Sequence, residues 1–294
     1  MRPPGERYSV HILLIAADTP LGVTLQSTLS RWGRHRVSIV SQAVSRWKSE
    51  RHAKKAIRRV DADIIVDLRT PHLMASGDWV QPIDVQRTHW LAKICSRAAI
   101  PYLYLSDPRV FSGRLSHPYR EQEAPDADDA LGLGLVGAEE HVRATCENHL
   151  VLRLGPLFAA FDSNLLTQVL ASLSSQAPLA VDDLDQLCPV EASDAARVIS
   201  GVLDQLDAGA AVTGTFHYNS PDRTTAYGFA EAVLAAASQF IKVADDAIIR
   251  LEHDPDRVAR NWSLDCREIR DTFAIKQVAW RGFISSTVKL YLAP

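Results

Sequence analysis

Apolar, β-branched runs that alternate with helical segments constrain the fold of this chain more than any other feature of its sequence. The first run, SVHILLIAA at residues 9–17, is typical of a buried parallel strand. The next stretch, LGVTLQSTLSRWG, has helical spacing and ends at Gly33, a plausible C-cap. Further strands are predicted at 35–40, 61–68, 100–106 and 149–155, and helices at 44–60, 83–98 and 131–146. This alternation predicts an α/β fold with a Rossmann-like, doubly wound parallel sheet.

The second half of the chain is less regular. Helices are predicted at 164–174, 193–206 and 226–240, and short strands at 179–181 and 214–218. We therefore expect a flexible N-terminal tail at 1–8 and a Rossmann-like nucleotide-binding domain at 9–160. Residues 161–294 should form mainly a small C-terminal α/β substrate lobe, with some segments returning to the sheet. Ligands of open α/β sheets bind at the carboxyl ends of the strands, which this lobe should face.

Charge and cysteine content exclude few partners. The net charge of -3 points to no particular partner, and Cys95, Cys146, Cys188 and Cys266 are far apart, without a C-x-x-C pair. That spacing supports neither a zinc site nor a disulfide framework and favours reduced thiols in the cytoplasm. The histidines show no ligand spacing, so we expect no metal. No apolar run reaches the length of a membrane span, and the first residues lack a signal peptide.

The first strand-to-helix turn, AADTPLG, is where a doubly wound fold holds the phosphates of a dinucleotide. The candidate cofactor residues there are Ala16, Asp18, Thr19, Leu21 and Gly22. Only Gly22 remains of a glycine-rich turn, and Pro20 lacks an N–H donor. Side chains at 16 and 19 also occupy positions where backbone should approach a pyrophosphate. We expect binding of a dinucleotide to be reduced, so that the cofactor is either absent or weakly bound NADP.

Six stretches along the chain carry a resemblance to a known family. They are ILLIAADTPLG, PYLYLSDPRVFSG, HLVLRLGPLFA, CPVEASDAARVI, GTFHYNSPDRTTAYGFAEAV and NWSLDCREIRDTFAI. Taken in this order, they resemble dTDP-4-dehydrorhamnose reductase and its relatives among the extended short-chain dehydrogenase/reductases. The resemblance runs from about residue 10 to residue 292 and implies the fold predicted above.

The resemblance also explains GLGLVG at residues 132–137, which has the G-x-G-x-x-G spacing of a dinucleotide turn. In the family a helix beginning YGRSKLAGE stands here, and its tyrosine and lysine carry the chemistry. By this alignment Leu131 replaces the tyrosine and Leu135 the lysine. Asp107 stands at the catalytic Ser/Thr position and Asp84 at that of a structural asparagine. No strand feeds the glycines, so they indicate a degraded catalytic helix rather than a phosphate cradle.

Other candidates remain for ligand binding. Arg46 opens a basic stretch with seven Lys/Arg up to Arg59, and in an NADP enzyme an arginine after the second strand meets the 2′-phosphate. A solvated helix face explains the stretch more simply, although an acidic protein surface stays open; nucleic acid is not expected. The candidate substrate residues are Ser106, Tyr119, Arg153, Arg260 and Asn261, with Tyr119 expected to be exposed on a loop.

Leucine cannot exchange a proton, which favours a catalytically inactive reductase-like protein that binds a nucleotide or sugar nucleotide or acts as a regulatory protein. The regulatory beta subunit of methionine adenosyltransferase, which resembles the same reductases, is a precedent for such use. An active NADP-dependent reductase or epimerase that uses displaced residues remains an alternative. A structural partner subunit with an empty cleft is another, and a protein partner or homodimer is possible in each case.

Overall fold

A central parallel sheet of six strands organises the chain. The computed structural model describes residues 10–76, 80–175, 178–243 and 246–293. The strand order is β2-β1-β3-β4-β5-β9, and all neighbouring strands run parallel. The strands are β1 (His11–Ile15), β2 (Arg36–Val40), β3 (Ile64–Asp67), β4 (Tyr102–Ser106), β5 (His149–Leu154) and β9 (Gly214–Tyr218). This confirms the predicted Rossmann-like sheet, and β9 confirms that a late segment returns to it.

Helices cover both faces of the sheet. They are α1 (Pro20–Trp32), α2 (Gln42–Ser45), α3 (Glu50–Arg58), α4 (Arg69–Ser76), α5 (Pro82–Ala98), α6 (Ala130–Thr145) and α8 (Ala192–Asp207). A short 3-10 helix, Pro108–Val110, follows β4. Helix α1 ends as predicted at Gly33, which has φ 59°. Two apolar cores, one on each face of the sheet, result from this layering.

Most of the remaining segments build a smaller lobe beside the carboxyl ends of the strands. They are β6 (Leu157–Phe158), α7 (Leu165–Ser175), β7 (Leu179–Val181), β8 (Val190–Glu191), α9 (Ala226–Ala237), β10 (Ile248–Arg250) and α11 (Arg281–Leu292). Helix α10 (Arg267–Phe273) instead packs against the sheet, where the Phe273 ring contacts Phe216 of β9. A third apolar core holds the lobe together, in which the Phe229 ring contacts Phe158 and Trp280. The domain boundaries at 160/161 stay a prediction, and the predicted tail at 1–8 lies outside the described residues.

Some elements differ from the expected ones. The helix predicted at 44–60 is interrupted, because the chain leaves helical geometry at Arg46 and restarts after Ser49. Trp47 is buried in this break, so tertiary packing outweighs helix propensity there. Helix α4 was not predicted, and β6, β8 and β10 are two or three residues long, which is too short for a periodic pattern to reveal.

Candidate functional site: a cleft at the carboxyl edge of the sheet

A cleft of about 330 Å³ lies between the sheet edge and the lobe. Its walls come from the ends of β4 and β5 and from α7. The lining residues are Pro71, Met74, Ser106, Asp107, Pro108, Arg109, Leu154, Gly155, Pro156, Leu157, Asn164, Leu165, Gln168, Leu187, Ala226 and Trp262. Among these described residues, Asp107 and Arg109 are the ionisable ones. The cleft is where ligands of open α/β sheets bind.

Helix α6 begins next to this cleft with a small-residue sequence. Leu135 is fully buried, whereas Leu131 is only partly buried. A Cβ on Gly132 would lie 2.5 Å from the Arg109 carbonyl oxygen, so glycine is what allows the helix to approach the loop after β4. The glycines of GLGLVG therefore serve helix packing, and Gly132 donates its N–H to the Asp129 side chain at 2.7 Å as part of the helix cap.

The inner side of α6 carries a buried ionic network. Glu139 is completely buried and accepts hydrogen bonds from Arg153 at Nε (2.9 Å) and Nη2 (2.7 Å), from Arg143 (2.7 Å) and from Ser106 (2.6 Å). Burial by itself opposes ionisation, but these bonds outweigh it and hold the pKa of Glu139 below its usual value. Glu139 thus connects α6, the helix that corresponds to the catalytic helix in the resemblance, to the ends of β4 and β5.

His217 on β9 continues this network to the loop that precedes α6. Its Nε2 lies 3.2 Å from Arg153 Nη1 and its Nδ1 lies 3.1 Å from the Tyr119 carbonyl oxygen. Because arginine can only donate, Nε2 accepts and Nδ1 carries the proton. Burial, reinforced by the charge of Arg153, lowers the pKa of His217 to about 3. The imidazole is therefore a neutral structural link at neutral pH.

Glu121 lies beside this link and is the most perturbed acid of the loop. Its Oε1 accepts a hydrogen bond from the backbone N–H of His217 at 3.1 Å. Burial raises the pKa of Glu121 to about 7, and the nearby carboxylates of Glu268 and Asp265 act in the same direction. The loop is thus attached to β9 by a carboxyl group that titrates near neutrality.

Asp107 caps the 3-10 helix after β4 at the floor of the cleft. Its Oδ1 accepts from the N–H of Arg109 at 2.9 Å. Burial raises the pKa of Asp107, although the charge of Arg109 acts against this. Ser106, the neighbouring cleft residue, donates its hydroxyl to Glu139. An acidic group with an increased tendency to hold a proton thus stands where the resemblance places a hydroxyl.

Arg109 and Trp262 form the outer wall of the cleft. The Arg109 guanidinium lies 5.7 Å from the Trp262 ring centre, and the indole donates to the Phe111 carbonyl oxygen at 3.1 Å. Arg260 lies 6.0 Å from the same ring and is paired with Asp128 at 3.0 Å. The indole is therefore held in place from the loop after β4 and carries a cation on the cleft side.

The turn between β1 and α1 is closed by its own hydrogen bonds. Ala16 has φ 60°, in the left-handed region that favours glycine. Thr19 accepts from the Gly22 N–H through its side chain (3.3 Å) and from the Val23 N–H through its carbonyl (2.9 Å). A Cβ on Gly22 would lie 2.6 Å from Ala17 backbone atoms, which explains why this glycine remains. Because these N–H groups already bond Thr19 and Pro20 has none, the turn fits a pyrophosphate poorly.

A second cavity, of about 390 Å³, lies at the ends of β2 and β3. Arg46 is exposed at its rim. Arg69 is buried on Asp67, with Nη2 2.6 Å from the carboxylate, and Arg87 is paired with Asp84 at 2.7 Å. Asp84 also accepts from the Gln81 N–H and so caps α5. Asp84, which the resemblance places at the position of a structural asparagine, thus has a structural role at this cavity.

The substrate candidates are distributed differently from the expectation. Tyr119 was expected to be exposed, which is wrong: it is 1 % exposed, because its ring stacks on Phe111 with centres 4.1 Å apart. Arg153 is buried by its pairing with Glu139, and Asn261 by donating to the Leu115 and His117 carbonyl oxygens. Ser106 lines the cleft. None of the other four does so among the described lining residues.

Several residues of the site were missed by sequence reasoning. Glu139 and Glu121 were not singled out and His217 was considered only as a metal ligand, because their partners lie 14 to 96 residues away along the chain. Asp265 lies two residues before α10, where it accepts from the Arg267 N–H at 3.1 Å. Arg109 and Trp262 could have been found, since both lie within motifs that carry the resemblance.

Comparison with known proteins agrees with the fold. A family model described as the RmlD substrate binding domain matches residues 10–292. The chain belongs to this family. As an RmlD-type chain it is 25 % identical over 238 residues to a dTDP-4-dehydrorhamnose reductase of Sinorhizobium fredii, covering 76 % of this chain and 79 % of the relative.

The chain is also similar to two other proteins. Methionine adenosyltransferase 2 subunit beta of Danio rerio is 26 % identical over 153 residues, which cover 50 % of this RmlD-family chain and 47 % of that protein. The crystal structure of dTDP-4-dehydrorhamnose reductase from Bacillus anthracis in complex with NADP superposes with a TM-score of 0.78 at 13 % identity, covering 95 % of this chain and 97 % of that one. Across the described ranges, no helix is long and apolar enough to cross a bilayer.

Proposed function

We propose that this protein binds a nucleotide or sugar nucleotide in the cleft without reducing it, as a pseudoenzyme of its family. One observation carries the proposal. The two positions that the resemblance assigns to the proton donor and its cationic partner hold Leu131 and Leu135, and Leu135 belongs to the apolar core. A hydrocarbon side chain neither donates a proton nor lowers the pKa of a neighbour. Loss of general acid catalysis alone costs about 10²- to 10⁴-fold in rate.

The cofactor side of the cleft supports the same proposal. The internal hydrogen bonds of Thr19 leave few N–H groups for a pyrophosphate, and the Asp18 carboxylate accepts from the Gln42 N–H at 2.5 Å in the same turn. A carboxylate near this position disfavours a phosphate. We expect weak NADP binding or none, with Arg46 the residue that would favour NADP over NAD. The roles of Ala16, Leu21 and Gly22 in such binding remain predictions.

A displaced-residue reductase is the second candidate, and Asp107 favours it. This carboxyl group lines the cleft, is 7 % exposed and has a raised pKa. A carboxyl group kept protonated can donate a hydrogen bond or a proton to a carbonyl oxygen. In that case Asp107 would act as the acid in place of the missing tyrosine, and the protein would be a nucleotide-sugar reductase or epimerase.

Binding and turnover measured on the same preparation distinguish these possibilities. Calorimetric titration with dTDP tests the cleft, and NADPH oxidation in the presence of a dTDP-4-keto-6-deoxy sugar tests reduction. Binding of dTDP without turnover supports the pseudoenzyme. Turnover on the order of 1 per second or more overturns it, and its loss in Asp107→Asn with retained dTDP binding would identify the displaced acid. Failure to bind dTDP would leave the structural subunit as the explanation.

A further inference from the structure

Arg109 is the cation of the cleft that the proposed function does not use. In the part of the chain that the structure describes, its guanidinium contacts the Trp262 ring and forms no salt bridge. The neighbouring Arg260 differs, because Asp128 neutralises it. Asp107, the other ionisable lining residue, accepts at Oδ1 from the backbone N–H of Arg109, and no ion pair joins its carboxylate to the guanidinium. Among the described residues, the cleft therefore presents a guanidinium that no carboxylate pairs within 4.0 Å.

The position of Arg109 indicates which part of a ligand would meet this charge. Arg109 is two residues beyond Asp107, and its carbonyl oxygen packs on Gly132, the residue after Leu131. Asp107 and Leu131 occupy the positions that the resemblance gives to reacting groups. By that alignment, the backbone of Arg109 lies beside the positions of the reacting groups, where the sugar of a ligand would be held.

The stacking on Trp262 prepares the guanidinium for a planar anion. A cation within about 6 Å of an indole centre is attracted to the ring face, which limits the conformations of the side chain. The indole is itself fixed by its bond to the Phe111 carbonyl oxygen. A guanidinium restrained in this way loses less entropy when its fork binds a carboxylate through two parallel hydrogen bonds.

We propose that Arg109 makes this cleft selective for a nucleotide sugar that carries a carboxylate on its sugar, a nucleotide uronate, over the neutral sugar. The inference rests on the proposed binding function and specifies its ligand class. A nucleotide diphosphate is the other source of negative charge in such a ligand. The proximity of Arg109 to Asp107 and Gly132 favours the sugar carboxylate.

Calorimetry with three related ligands tests the inference. The ligands are dTDP, dTDP-glucose and dTDP-glucuronate. The first lacks the sugar, and the other two differ only in that glucose has a CH₂OH group where glucuronate has a carboxylate. The wild-type chain should bind dTDP-glucuronate about 10- to 100-fold more tightly than dTDP-glucose, as expected for charge-assisted hydrogen bonds. Arg109→Gln should abolish this preference while its dTDP affinity stays within about twofold, well below the tenfold step of 1.4 kcal/mol.

Arg114→Gln is the matched control, because Arg114 is a well-exposed arginine outside the cleft lining that is paired with Asp128. It removes the same charge and should keep the preference for the uronate. Arg109→Lys retains the charge without the planar fork and should keep part of the preference.

Equal affinities of the wild-type chain for the two sugars, with normal dTDP binding, would overturn the inference and leave the proposed function intact. A loss of dTDP affinity in Arg109→Gln as large as its loss of dTDP-glucuronate affinity would show that Arg109 binds the diphosphate. That result would also overturn the inference. Absence of dTDP binding in the wild-type chain would overturn the proposed function itself.

Discussion

Two parts of helix α6 have opposite chemistry. Its middle holds Glu139 in a buried inner network with Arg153 and Ser106, whereas its first two turns carry Leu131 and Leu135, of which Leu135 belongs to the apolar core. The inner network connects three elements of the fold, so losing one member leaves a buried charge without its partner. The two leucine positions carry no such constraint, because leucine leaves no charge unpaired. The comparison teaches that a buried polar network restricts its residues more strictly than the apolar turns beside it.

Glu139→Gln should have the largest effect, because it leaves Arg153 charged and buried without its counter-ion. We expect a loss of about 3–5 kcal/mol in the free energy of unfolding, measured by chemical denaturation. Arg143→Gln is the control. Arg143 bonds the same carboxylate but is 32 % exposed, and its loss should cost under about 1 kcal/mol. Similar costs for the two variants would contradict the importance given to the inner network.

Restoring the family residues at positions 131 and 135 tests the first two turns of α6. Leu135→Lys places an ammonium group in a site with no exposure and should cost about 2–4 kcal/mol, unless the lysine is neutral. Leu131→Tyr, at a partly buried position, should be nearly neutral. The double variant should remain inactive as a reductase. Thermal melting of both single variants measures the contrast; an unchanged melting temperature for Leu135→Lys would mean that the cleft extends to this position.

Glu121 allows a pH test of the inner network. Its folded-state pKa of about 7 lies above the ordinary glutamate value. The folded state therefore binds the proton more tightly, and the resulting stabilisation is complete below about pH 4.3 and is lost as the pH rises through 7. Relative to Glu121→Gln, the wild-type chain should lose about 1–2 kcal/mol between pH 4 and 8, after allowance for solvent screening.

Denaturation of both chains at each pH gives this difference, from which the titration of His217 cancels because both chains contain it. A difference that does not change with pH would show that the pKa of Glu121 is the same in the folded and unfolded states, and would remove it from the network that holds the loop.

The smallest effect is expected at the β1–α1 turn. Ala16→Gly should stabilise the chain by up to about 1 kcal/mol, because it relieves a left-handed alanine at φ 60°. Ala17→Gly, at a neighbouring position outside that region, should destabilise it instead. NADPH affinity should remain weak in Ala16→Gly, since Thr19 and Pro20 are unchanged. Fluorescence titration with NADPH checks this, and a micromolar constant would show that Ala16 alone limits binding.

Much of the fold follows from local patterns in the sequence. The strands at 179–181 and 214–218 have the bounds that were predicted, and Gly33 ends α1 as expected, because each depends on a few neighbouring residues. The alternation of strands and helices similarly determines the parallel sheet. For the site, the sequence placed Leu131 and Leu135 at the start of a helix, which the structure confirms; that they replace the usual acid and cation stays a prediction.

Only the tertiary structure decided how the polar residues pair. Tyr119 was expected in solvent but stacks on Phe111, and Arg153 bonds Glu139 rather than facing the cleft. Arg109 remains in the cleft because Trp262, far along the chain, provides its ring there. Such pairings depend on which segments the fold brings within hydrogen-bonding distance. Periodicity records the face on which a side chain lies, whereas burial and partner choice are determined by long-range packing.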